Sequence, residues 1–124
     1  MNGTVALKIA RNELGAKCNL SEADIFSRST ECRRRMLCPV RACAPNGSVL
    51  VMESIRTLGE NEFQHLFWHT DCFPDWDCLG GDDDPCPFEF KADEWGWFDG
   101  RLVAVDYSDP RLHFPPELLA SLKQ

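Results

Sequence analysis

The sequence predicts an α+β domain with N-terminal helices, an antiparallel sheet of about four to five strands built from hairpins, and a short C-terminal helix. Three observations carry that expectation. Apolar residues recur at helical spacing from Ile25 to Leu37, the pattern changes to strand-like runs between Val40 and Ile55, and Asp99-Gly100 separates two strand-like segments.

Taken in order, Thr4 can cap a first helix carrying Val5, Ile9 and Leu14, with Gly15 as its stop. Ser21-Glu22-Ala23-Asp24 is a relative of the capping box and opens a second helix, along which Ile25, Phe26, Ser29, Cys32, Met36 and Leu37 share a face. Pro39 disfavours helical geometry at Cys38 and ends it. Val40 to Cys43 and Ser48 to Ile55 then flank Ala44-Pro45-Asn46-Gly47, which reads as a hairpin turn. Phe63 to His69 reads as a third strand, with Gln64, Leu66 and Trp68 on one side and Phe63, His65, Phe67 and His69 on the other. A long loop follows from Thr70 to Pro87, rich in Asp, Gly, Pro and Cys; loops of that length are usually functional or held by something. Glu94 to Phe98 and Arg101 to Tyr107, joined by Asp99-Gly100, form a type I′ hairpin. Pro115 or Pro116 opens a last helix, Glu117 to Lys123.

The 124 residues suit one domain, and 44% hydrophobic with 27% charged residues is a globular composition. No apolar run approaches the roughly 20 residues of a membrane span. Met1 to Arg11 lacks the features of a signal peptide, so an intracellular location is expected. Seven cysteines cannot all pair, and in a reducing compartment they are core thiols or metal ligands. A secreted protein would instead form three bridges with one thiol over, and its sequons at Asn2, Asn19 and Asn46 would matter.

The net charge of −7 is unevenly spread. Residues 1–60 carry nine basic and six acidic side chains, whereas residues 61–124 carry four and fourteen. So acidic a chain is a poor general nucleic-acid binder. Only the stretch Arg28 to Arg35, with Arg33-Arg34-Arg35 and Arg41 beyond it, offers a positive footprint. Its alternative reading is a solvated face or a partner for the acidic half.

Trp68-His69-Thr70-Asp71-Cys72-Phe73 holds an imidazole and a thiol at His-x-x-Cys spacing, and Cys38 and Cys43 lie upstream. Together Cys38, Cys43, His69 and Cys72 supply the four N/S ligands that a structural zinc takes. The stretch from Cys38 to Phe73, with its aromatic before His-x-x-Cys-Phe, resembles zinc fingers of the poly(ADP-ribose) polymerase type and the first half of LIM domains. The resemblance implies zinc at those positions. It departs at Cys38-Pro-Val-Arg-Ala-Cys43, where such fingers have Cys-x-x-Cys. The aspartates of residues 71–84 have oxygen chemistry suited to calcium, but not EF-hand spacing.

Enzyme signatures are few. There is no Cys-x-x-Cys, no phosphate loop and no zinc-deaminase pattern; a cysteine nucleophile beside His65, His69 or His113 has no local signature. The remaining signal is aromatic and acidic. Asp75, Trp76, Asp77, Asp82, Asp83, Asp84, Trp95 and Trp97 are the expected contact residues. The sequence thus points to a non-enzymatic binding or regulatory protein, such as an inhibitor, that engages a basic protein partner and is stapled by zinc. A zinc-finger-like nucleic-acid binder using Arg28 to Arg35 is the alternative, and a cysteine-dependent enzyme the third reading. No membrane partner is expected.

Overall fold

The computed structural model describes residues 4–77 and 85–113. Along the chain run β1 (Val5–Ile9), α1 (Glu13–Arg28), α2 (Glu31–Arg34), β2 (Val40–Cys43), β3 (Val49–Glu53), α3 (Glu60–His69), β4 (Trp95–Phe98) and β5 (Arg101–Ala104). Short 3-10 turns cover Ala92–Glu94 and Pro110–His113. The fold is α+β, and the five strands among the described residues make two antiparallel sheets, ordered β1-β3-β2 and β4-β5. The expected helix at Glu117 to Lys123 lies outside the described residues.

The first expected helix is a strand. Val5, Leu7 and Ile9 alternate with Ala6 and Lys8, and β3 offers a complete antiparallel partner, from Val5 opposite Glu53 to Ile9 opposite Val49. That long-range pairing outweighs the weak helical spacing of Val5, Ile9 and Leu14. Asn12 then caps α1, its side-chain oxygen accepting from the Gly15 N–H at 2.8 Å, so Gly15 sits inside the first turn. The start expected at Ser21 falls within this 16-residue helix. The helical run to Leu37 is broken at Ser29, which is extended, and Thr30 caps α2 by accepting from Arg33 N–H at 3.2 Å. Arg34 closes the break, donating to the carbonyls of Phe26, Ser27 and Ser29 at 2.9–3.2 Å.

The β2–β3 hairpin forms where expected, with a bulge at Arg41, whose guanidinium pairs with Glu53. Gly47 turns it with φ of 77°, and a Cβ there would stand 2.2 Å from the Ala16 carbonyl oxygen. Only glycine lets α1 lie this close to the turn. The Asn19 amide of α1 donates to the carbonyls of Gly47 at 2.9 Å and Lys8 at 3.1 Å, fastening the helix to the sheet.

Residues 63–69 are not a third strand but most of α3. Phe63 and Leu66, at i and i+3, pack on the core, and Phe67 at i+4 stacks on Phe63 at 5.6 Å. Glu60 and Glu62 in the first turn complement the helix dipole, and Thr70 closes the end onto the Leu66 carbonyl at 2.6 Å. Seven residues can carry both periods, and here the helix buries more.

The second hairpin is as expected. Asp99 and Gly100 have φ of 50° and 76°, the two positive values a type I′ turn requires. Three backbone bonds join the layers: Cys38 N–H to Ala104 O and Ala104 N–H to Met36 O, both 2.8 Å, and Leu58 N–H to Trp95 O, 2.9 Å. Leu37, Leu50, Met52, Trp95 and Val103 are all but sealed from water at the centre. Among the described residues, no helix is long and apolar enough to cross a membrane.

Candidate aromatic binding face

The aromatics divide between core and surface. Trp76 and Trp95, expected on a contact surface, are 4% and 0% exposed and belong to the core. Trp95 donates from its indole N–H to the Glu89 carbonyl at 2.8 Å. It stacks on Phe90 at 5.5 Å and meets Phe73 and Phe88 edge-on at 5.1 and 4.9 Å. Trp76 meets Phe88 edge-on at 5.8 Å. A core this small takes the largest rings for itself.

The network continues outward. Phe63 contacts Phe67 and Phe73, Phe67 contacts Phe73 and Phe90, and Trp68 joins Phe67 edge-on at 5.4 Å. At its outer end Phe67, Phe90 and Trp68 are exposed, Trp68 by 71%. The Trp68 ring is held in place. Its indole N–H donates to Gln64 Oε1 at 2.9 Å, and Gln64 donates to Glu60 Oε1 at 3.0 Å, a ladder of i,i+4 steps along α3. Beside it runs an open groove of roughly 560 Å³ lined by Leu58, Glu60, Phe63, Gln64, Phe90 and Asp93, with Lys91 its one base. Lys91 is itself paired with Glu89 at 3.1 Å. The face is therefore aromatic at the centre and acidic at the rim.

Residues 63–69 form this face as part of α3 and not as the expected strand. At helical spacing the same residues place Trp68 and Gln64 outside the Phe63-Leu66 stripe. Of the other expected contacts, Trp97 is 44% exposed on β4, Asp75 and Asp77 are exposed in the loop, and Asp82, Asp83 and Asp84 lie outside the described residues. Asp77 also pairs with Arg33 at 3.6 Å.

The four expected zinc ligands are dispersed over two regions. Cys38 is buried before β2 with its thiol 3.3 Å from the Glu53 carbonyl, and burial pushes that thiol up to about 12. Cys43 ends β2 beside the Ala44 carbonyl at 3.4 Å. His69 closes α3, and Cys72 is exposed just beyond it, 2.8 Å from the Thr70 hydroxyl. Among the described residues, no three His, Cys, Asp or Glu side chains gather to hold a metal ion. His69, expected at the end of a third strand, ends α3 instead.

Three arginines of the basic run, Arg28, Arg33 and Arg34, make contacts within the fold. Arg33 is 6% exposed, donates to the Trp76 carbonyl at 3.0 Å and lies 4.4 Å over the Trp76 ring. Arg34 closes α1, and Arg28 pairs with Asp24 at 2.8 Å. Burial pushes the Cys18, Cys43 and Cys86 thiols upward as well, away from the thiolate that a nucleophile requires. The six described cysteines form no disulfide with one another.

A second feature is a cleft of roughly 460 Å³ between α1 and the 86–89 and 105–110 segments. Glu22 lies at its base, 2% exposed, accepting from Lys8 Nζ at 2.7 Å and the Tyr107 N–H at 2.9 Å. Lys8 also reaches Asp106 at 3.3 Å. Burial works to lower the Lys8 ammonium, but Glu22 and Asp106 outweigh it and the net direction is up. For Glu22 burial prevails over Lys8 and the Tyr107 N–H, and its carboxyl is pushed from 4.5 up to about 7. The hint in the sequence was a charged residue in line with Asn19 and Ile25 on the buried stripe of α1.

A carboxyl raised in the folded state favours folding while it keeps its proton. That contribution is complete below pH 4.5 and is lost as pH rises through about 7. Denaturant titrations of wild type and Glu22→Gln across this window should therefore diverge. The Gln variant should gain on the wild type by on the order of 3 kcal/mol between the two ends, at about 1.4 kcal/mol per unit. A difference that is flat with pH, or that favours the wild type as pH rises, would contradict this account of Glu22.

The chain matches no protein-family model, no curated protein and no solved structure.

Proposed function

We propose that this chain is a non-catalytic binding protein that engages a basic protein segment through the aromatic face of α3. The observation that carries the reading is Trp68, 71% exposed yet held upright by Gln64 and Glu60 and backed by the buried aromatic network. An exposed indole gains nothing for folding. Fixed in advance on a rigid base, it loses little freedom on binding, which is how aromatic anchors give affinity.

Charge selects the partner's chemistry. Glu60 and Asp93 edge the face, and residues 61–124 carry fourteen acidic against four basic side chains. A segment with Lys or Arg flanking an apolar residue would place its cations on the rim and its apolar side chain in the groove. The aliphatic strip Val5, Leu7 and Ile9 on β1 is also exposed, by 50–66%, but it offers no fixed ring and no acidic rim.

Selection from a random peptide library displayed on phage tests the reading. Peptides retained by the wild type should carry Lys or Arg beside an apolar residue, bind more weakly as salt rises, and be lost on Trp68→Ala. Recovery of acidic peptides, or of binders indifferent to Trp68, would refute it.

A further inference from the structure

α3 carries two histidines on successive turns, outside the aromatic face. His65 and His69 are both exposed and rise from one side of a continuous helix. Their ring centroids are 5.1 Å apart with planes tilted by 39°. That spacing has a chemical meaning. A zinc-type ion sits about 2.0–2.1 Å from an imidazole nitrogen, and a ring centre lies about 1.1 Å further, so two rings meeting one ion at a tetrahedral angle have centroids about 5 Å apart. The separation observed is the one the chelate needs. Only rotation about the side-chain torsions is required to aim two nitrogens at a common point, and the terminal torsion of histidine is soft. A helix also holds the second ligand close once the first has bound, so the pair acts at high effective concentration.

We propose that His65 and His69 form a two-imidazole surface site for a divalent transition metal. Imidazole suits zinc, nickel and copper and discriminates against calcium and magnesium, which take oxygen. The ion keeps its other positions for water. The site differs from a set built on Cys38, Cys43, His69 and Cys72, because it uses His65 and needs no thiol.

Nickel titrated in substoichiometric amounts into the reduced full chain tests the site, since its paramagnetism broadens nearby NMR signals. The expected result is broadening centred on residues 65–69. His65→Asn and His69→Asn should each abolish that local broadening and weaken nickel binding at least ten-fold. Both side chains are exposed, so the far-UV circular dichroism of either variant should match the wild type. Broadening centred on Cys38 and Cys43 or on His113, its persistence in His65→Asn, or no broadening at all would overturn the proposal.

Discussion

Replacing Trp95 by alanine should destabilise the domain by about 3–5 kcal/mol, the range for removing a large buried ring. Domains of this kind have only about 5–15 kcal/mol in total, so the variant should sit near the edge of folding. Three effects combine. The ring is 0% exposed, three aromatic neighbours lose their central contact, and the Glu89 carbonyl loses its donor. Trp95→Phe should recover much of the packing but not the hydrogen bond. Urea denaturation of the three proteins checks this ordering. A loss below about 1 kcal/mol in the alanine variant would mean that the ring is not the centre of the core.

Trp68→Ala should behave in the opposite way. Stability should change by less than about 0.5 kcal/mol, since the ring is mostly solvated and its hydrogen bond is to an exposed amide. Binding of a basic partner should weaken by about 2 kcal/mol or more, roughly thirty-fold, as for a hot-spot aromatic. Denaturation and peptide-binding isotherms of the same protein sample read both quantities. If Trp68→Ala unfolds the domain and leaves binding alone, the roles given to Trp68 and Trp95 are reversed.

The contrast between those two residues also marks what could be read from the sequence. Local signals were legible: Asp99-Gly100 dictated its hairpin because few residues accept two consecutive positive φ values, and in the turn of the first hairpin Gly47 alone takes a positive φ. The α+β class followed from such pieces. Segments carrying two periods were not legible. Val5–Ile9 is a strand because β3 lies beside it, and Glu60–His69 is a helix because Phe63 and Leu66 find a core to cover. Both choices depend on partners far away in sequence. The error at residues 63–69 carried through to the site. It hid the ladder from Glu60 to Trp68 and the pairing of His65 with His69, and it placed His69 at a strand end beside cysteines. The aromatic and acidic character of the contact surface was recognisable from composition, but burial alone decided which tryptophans remained outside.

The most direct measurement of the central claim is fluorine NMR of the chain labelled with 5-fluorotryptophan, titrated with a basic peptide. Its four tryptophans give four assignable signals. The Trp68 signal should shift in proportion to occupancy while those of Trp76 and Trp95, sealed in the core, stay in place. A Trp68 signal that does not respond while peptide binds elsewhere would contradict the assignment of this face.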